Sequence, residues 1–506
     1  MQQETTVQQE TVSLTDSEAE NDDDRVEATT TQGSSIASAT FNFTNAIVGA
    51  GAIGLGGAIA ASGGLISITL IIFFGLLTKL SLDLVIRLSL GIEDQSYEGL
   101  AAEGLGRAGR VTVLICKLFY SFGCLVAYIV VIKDNLAPAL DHLIFGSNSA
   151  SKTWFHYILE EPASFTWMIS LSTVLPLCLL RDMTPLANFS IVSLVSMVSI
   201  VGIVIYIYFG CPDIGEPSTS FSKDWLEIRP GILESLGTFV FTFVSQHTVH
   251  LVFGSLKPNL RTLDNFKTVS SWSLFSATTI SVSVGLFVYM TFWDKTESDI
   301  FDIYPKGWMI DVAKILLCST MVLTFPLPFF TCRELLIVVL VHPCIGDSAT
   351  VDIVADPQSE LSEPLLDSTE DVEGGNETPE VDDDTPVTTS ESSLLSCLKT
   401  IATPRNWLLP EDNRQLRLFG HVLLTATLWF FCTGLAIAAP NLGDVLDLVG
   451  CFSGTIIAFI LPGLLAMRLE GYSHLALLIL IVGGSVGTIG TYFSVQKLYI
   501  DLLLVQ

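Results

Sequence analysis

Runs of about twenty apolar residues recur through this chain between short polar connections, and no motif constrains its fold as much. A helix needs about 20 such residues to cross a hydrocarbon layer roughly 30 Å thick, because each residue rises about 1.5 Å. Eleven runs qualify: 37–62, 65–90, 111–132, 164–180, 188–210, 231–255, 269–293, 308–341, 417–438, 442–468 and 474–496. In lipid every backbone N–H and C=O must find a partner within the protein, and helices supply one locally. The expected fold class is therefore an all-α polytopic membrane protein with 11 transmembrane helices.

Composition agrees and narrows the function. Half of the residues are hydrophobic, 15% are charged and the mean hydropathy is +0.57, more apolar surface than a soluble chain can cover. The net charge of −28 is local: residues 1–33 hold nine acids and one base, and residues 342–395 hold fifteen acids and no base. Without those segments the body is nearly neutral. That excludes a nucleic-acid-binding protein, which needs a basic face, and a soluble enzyme of ordinary composition. The expected organisation is a disordered acidic tail (1–36), spans one to eight (37–341), a disordered acidic loop (342–416), spans nine to eleven (417–498) and a short tail (499–506).

Alternating the connections between two sides gives fourteen Lys and Arg on the side of the N-terminus and seven on the other. The excess of bases predicts a cytosolic N-terminus, and both acidic segments with it. The polar start has no basic region followed by an apolar core, so no signal peptide is expected and the first span should itself engage the membrane. Nine of the ten cysteines fall in spans, at inner span ends or in segments assigned to the cytosol, and Cys211 has no partner near the other face. No disulfide is expected.

The first run contains Gly49-Ala50-Gly51-Ala52-Ile53-Gly54, which satisfies GxGxxG but lacks the strand, helix and acid of a dinucleotide fold. Two readings of its glycines stand: close helix packing, or an unwound segment that exposes amide groups to a polar ligand. Asn42, Thr44 and Asn45 just before them favour the second, since polar groups in a span face a partner or a pathway. The sixth run is interrupted by Ser245, Gln246, His247, Thr248 and His250, either through hydrogen bonds between helices or as a matching break. Paired breaks in corresponding halves point to a transporter binding site. In the eighth run Ser319, Thr320 and Thr324 share a helix face that could coordinate a hard cation, although single hydroxyls often bond back to their own helix. Pro326 and Pro328 are expected to kink that helix. Lys79, Asp83 and Arg87 at i, i+4 and i+8 read as pairing and snorkelling. No hydrolase constellation, phosphate loop or HExxH is present, and no enzyme is expected.

The segment FNFTNAIVGAGAIGL resembles the first helix of the amino acid/auxin permease family, above all its sodium-coupled neutral amino acid transporters of the solute carrier 38 type and their vacuolar relatives. Six further segments resemble that family in the same order: SYEGLAAEGLGRAGR (96–110), CLVAYIVVIKDNL (124–136), PLCLLRDMTPLANFS (176–190), FTFVSQHTVHLVFGSLK (241–257), LTFPLPFFTCRELL (323–336) and VGCFSGTIIAFILPGLL (449–465). The resemblance implies a leucine-transporter-like fold of two inverted five-helix repeats, 37–210 and 231–438, plus one further helix. It implies Asn45 as a sodium ligand and Gly49, Ala50 and Gly51 as the segment whose amides receive a substrate carboxylate. Asn45, Tyr128, Ser245 and Gln246 join the glycine segment as substrate-binding candidates, and Thr320 and Thr324 join Asn45 as sodium candidates. Relatives often carry His, then Val-His-Pro, in the sixth helix; Gln246 and Val249-His250-Leu251 depart from that pattern and leave the coupling ion open.

The expectation is a secondary active transporter of small neutral L-amino acids, coupled to sodium or protons and using no other cofactor. Its partners are the amino acid and the bilayer, with no nucleic acid, and a monomer is the default for the implied fold. The membrane is a plasma membrane or that of a vacuole or lysosome. The alternative is an amino-acid sensor that signals through its acidic cytosolic segments without significant flux.

Overall fold

The computed structural model describes residues 33–146, 158–180, 189–341 apart from Pro217 and Thr219, and 418–505. The acidic segments expected at 1–36 and 342–416 lie almost wholly outside the described residues. Among the described residues the fold is all-helical, and one isolated bridge pairs Ser34 with Leu256. Eight helices are long and apolar enough to cross a membrane, or nine if a bent pair at the start is one crossing. The chain is an integral membrane protein.

That bent pair is α1 (Ile36–Ile47) and α2 (Ala50–Ser62), set at 50°. Ser35 caps α1 by accepting the Ser38 N–H at 3.2 Å. Val48 (ψ 94°) and Gly49 (φ −132°, ψ −147°) leave helical geometry and break it. Gly63 ends α2 at φ 104°, a backbone that side chains oppose, and α3 (Gly64–Ser89) follows directly. Helix α4 (Tyr97–Phe145) bends at Gly106 (φ 66°), which divides an amphipathic connector from the third span. That span continues past the expected end at 132, and α4 carries Pro138 inside it.

The fourth expected run forms a short apolar helix, Pro162–Cys178, made of α5 (Pro162–Ile169), a π-helical turn (Ser170–Val174) and α6 (Leu175–Cys178). Helix α7 (Phe189–Gly210) comes next. The sixth run is divided into α8 (Leu236–Phe241) and α9 (Val249–Ser255), with turns and open chain at 242–248 between them. Helix α10 (Leu263–Phe292) precedes α11 (Trp308–Thr324) and α12 (Pro326–Val341). Phe325 keeps helical dihedrals between those two, so Pro326 removes a hydrogen bond there without dividing the apolar helix Trp308–Val339.

Helix α13 (Leu418–Ala438) leads to α14 (Leu442–Val449), two π-helical turns (Gly450–Gly454 and Ile456–Ile460) and α15 (Leu461–Leu469). Helix α16 (His474–Val505) continues through most of the expected tail at 499–506. Helix thus occupies part of every expected run, but Pro162–Cys178 is short and the α8/α9 segment is interrupted, so the spans counted by length are fewer than eleven. In Leu442–Leu469 72% of the most apolar window is buried, against 22% in His474–Ile500. The former is therefore interior and α16 peripheral, although the two are similarly apolar in sequence. Helix α10 packs against α1, α2 and α3, and α11 packs against α4 and α7.

Candidate functional site

The two helix breaks meet. A Cβ added to Gly51 would lie 2.7 Å from Thr242 Cα and 2.9 Å from its Oγ1, so the chain just after the first break touches the start of the second. Glycine is required there because no real side chain tolerates that separation from backbone. A Cβ on Gly49 would lie 3.3 Å from the Tyr128 hydroxyl, which brings α4 to the same point. At the break the N–H groups of Val48 and Ala52 bond to Thr44 and Gly49. Those of Gly49, Ala50 and Gly51 have no acceptor among the described residues. Three free amides at the N-terminal end of α2, where the helix dipole is positive, suit a carboxylate.

The open stretch at 242–248 is held by side chains from elsewhere. Tyr120 on α4, buried, reaches the carbonyls of Phe241 and Val244 at 3.3 and 3.2 Å. Its one proton can serve one of them at a time. Asp447 on α14 accepts from the Thr238 N–H at 2.8 Å and the Thr238 hydroxyl at 2.6 Å, capping the first turn of α8, while Lys497 lies 3.6 Å from its other oxygen. Past the break, His250 shares a hydrogen bond of 2.7 Å with Ser89 and stacks on Tyr97, whose hydroxyl donates to the Ile457 carbonyl at 2.6 Å. An ion pair, half-buried Lys117 to buried Glu98 at 2.6 Å, ties the amphipathic connector to the third span close by. At the far end of the pair, Ser34 N–H donates to Ser255 O at 2.7 Å and Lys257 N–H to Ser34 O at 3.2 Å, fastening the start of α1 to the end of α9.

The remaining candidates are more scattered. Asn45 is buried on α1, and its side chain makes no hydrogen bond among the described residues. The Ser245 hydroxyl donates to Phe243 O at 3.3 Å, and its N–H donates to Gln246 Oε1 at 3.1 Å. The Gln246 amide donates to Ser81 Oγ at 3.4 Å and Ala458 O at 3.5 Å. Thr320 donates to Leu316 O at 2.9 Å and Thr324 to Thr320 O at 2.5 Å, both along their own helix. Lys79 pairs with Asp83 at 2.8 Å, and Asp83 also accepts from Ser270 at 2.7 Å, as the pairing reading expects. The eight described cysteines are free.

Tyr120, Thr238 and Asp447 were not singled out from the sequence. An aspartate in an apolar run was the available signal for Asp447, since a buried acid needs a partner. Tyr120 carries no such mark. The arrangement offers anion-binding amides, a phenol and an unwound backbone, and no nucleophile–base pair among them.

The model of the family described as transmembrane amino acid transporter protein matches residues 32–496. The chain is 29% identical over 315 residues to the putative sodium-coupled neutral amino acid transporter 11 of Rattus norvegicus, covering 60% of this chain and 64% of that protein. It is 22% identical over 431 residues to vacuolar amino acid transporter 2 of Saccharomyces cerevisiae, covering 85% and 75%. The match spans less than two thirds of the length of the rat relative and of its mouse counterpart.

Proposed function

The chain belongs to the amino acid/auxin permease family of transmembrane amino acid transporters, and on that premise we propose that it carries small neutral L-amino acids by alternating access, coupled to sodium or protons. The observation that carries the reading is the contact of the two helix breaks at Gly51 and Thr242, beside the free amides of Gly49, Ala50 and Gly51. A carboxylate seated on those amides adds negative charge beside Asn45, and a cation there would favour the carboxylate in return.

In this reading there are eleven crossings, with α1/α2 and α8/α9 each counting as one, arranged as two inverted repeats and one further helix. Tyr128 borders the substrate, and Ser245 and Gln246 shape the second break. Asn45, Thr320 and Thr324 hold sodium. The two hydroxyls donate along their helix, which leaves their lone pairs free for a cation. The N-terminus is cytosolic, the protein works as a monomer, and its membrane is that of a vacuole or lysosome or the plasma membrane.

The test is uptake by purified protein in liposomes, with a panel of labelled amino acids and with sodium and pH gradients imposed separately. Concentrative uptake of a neutral amino acid under one gradient is expected. Asn45→Ala should lower sodium-driven uptake at least about tenfold, the equivalent of about 1.4 kcal/mol, with the protein still monodisperse. Unchanged uptake and sodium affinity in that variant would sink the sodium-site assignment. Binding without flux for every amino acid would sink the transport reading itself.

A further inference from the structure

At the end of the bundle opposite Ser34, a cavity of 530 Å³ opens between Gly57, Ala60 and Ala61 of α2, the connection after α10 and residues 440–442. The connection is wedged in place. A Cβ on Gly57 would fall 2.7 Å from Ser298 Cα, and one on Gly443 would fall 2.5 Å from Ser298 Oγ. Asp134, Asp294, Glu297, Asp299 and Asp302 all line the space. Asp299 is 4% exposed; one oxygen accepts the Phe301 N–H at 3.0 Å and the other accepts the Asn135 side-chain amide. Asn135 is fully buried and its amide N–H also donates to Val131 O at 3.0 Å, yet its amide oxygen has no hydrogen-bond partner among the described residues.

The bases do not correct this excess of acceptors. Lys133 lies 3.5 Å from Asp134 and divides its ammonium among Asp134 and the carbonyls of Ala436 and Ala439. Lys314 on α11, 8% exposed, makes no hydrogen bond or ion pair among the described residues and acts on the acids only through space. His142 is engaged with Asp311 at 2.5 Å, and Lys295 with Glu216 at 2.9 Å. A buried acceptor without a donor, among carboxylates, is short of a proton.

We propose that Asp299 and Asp302 form a proton-binding site that governs the seating of residues 293–307 over this cavity. One proton taken from water onto the pair converts a carboxylate into a carboxyl group, whose O–H can donate to the amide oxygen of Asn135. The connection then stays seated against α2. Loss of that proton leaves two anions facing Asp134 and Glu297, and their repulsion lifts the connection away. Burial pushes both carboxyl groups above the usual aspartate range. Asp302, although one side of it meets water, is raised to about 7, with its neighbours Asp299 and Asp134 adding to the effect and Lys314 opposing it. This site lies apart from the helix breaks, and its test needs no transport.

The experiment uses full-length protein in nanodiscs with Cys211→Ser as background and Ser298→Cys as reporter. The labelling rate by a charged thiol reagent is followed from pH 5.5 to 8.5, with the labelled peptide identified by mass spectrometry. Asp213→Cys, on an exposed position, corrects for the reagent's own pH dependence. The corrected rate should rise about tenfold, the change worth about 1.4 kcal/mol, with a midpoint near pH 7. Adding Asp299→Asn or Asp302→Asn should hold it low at every pH. A flat profile in the reporter protein overturns the proposal, as does an unaltered profile in both asparagine variants. A rate set by sodium at constant pH also overturns it, by making the site a metal-cation site. Should Asp299→Asn fail to yield monodisperse protein, the exposed Asp302 supplies the deciding variant.

Discussion

Tyr120→Phe removes one hydroxyl and nothing else, so its consequence can be worked from the structure. That hydroxyl lies 3.3 Å from the Phe241 carbonyl and 3.2 Å from that of Val244, at the point where α8 stops and its carbonyls lose helical partners. The ring is buried against Phe241 and His247, so water does not simply take its place. Leaving a buried carbonyl without a donor costs about 1–3 kcal/mol. If the open stretch relieves that cost by leaving its substrate-ready geometry, the competent population falls about 5- to 150-fold, and apparent affinity falls with it. Equilibrium binding of the best-transported amino acid, measured beside thermal unfolding, reads both effects. Tyr97→Phe is the comparison, because its hydroxyl also serves a buried carbonyl, Ile457 at 2.6 Å, but within the π-helical turns of Ile456–Ile460. Equal affinity losses in the two variants, or none in Tyr120→Phe, would refute the view that this hydroxyl holds the second break in its binding geometry.

Two further outcomes are expected. Gly51→Ala drives a methyl group against Thr242 Cα and Oγ1, at 2.7 and 2.9 Å, and should cost about 1–3 kcal/mol of overpacking. Uptake should fall more than tenfold while size-exclusion behaviour is retained, and wild-type uptake would show that the two breaks need not touch. Because Asp299 and Asp302 bind protons more tightly folded than unfolded, stability should be full below the ordinary aspartate range near pH 4 and fall as pH rises towards 7. Thermal midpoints in detergent should show that fall between pH 5 and 8, and Asp299→Asn should flatten it; a midpoint that climbs over this range would contradict the sign.

The helical segments were readable because lipid imposes a local rule: about twenty apolar residues that satisfy their own backbone. The break at Gly49 was readable for a related reason, since glycines preceded by Asn42, Thr44 and Asn45 are unusual in a span. The cluster from Ser245 to His250 likewise marked the open chain at 242–248. Boundaries were less legible. Helix α4 runs on to Phe145 and α16 to Val505 because helical geometry persists wherever capping does not stop it, while the hydrophobic signal ends sooner. The π-helical turns in Gly450–Gly454 and Ile456–Ile460 had no periodicity to announce them.

Side-chain partnership is where sequence reasoning ran out. Gln246 stood next to Ser245 in the same polar cluster, yet the structure turns its amide towards Ser81 and Ala458. Tyr120 looked like any aromatic residue in a greasy helix and proves to hold open backbone from another span. The sequence by itself determined that this chain lives in a membrane, that helix falls within each apolar run and that two of those runs are interrupted, because those properties follow from local hydrophobicity and backbone chemistry. Only the tertiary structure decided that the interruptions touch, that Asp447 caps α8 and that Asn135 donates to Asp299. Those pairings join residues far apart in the chain, and whether a buried polar group is satisfied depends on what packing places beside it.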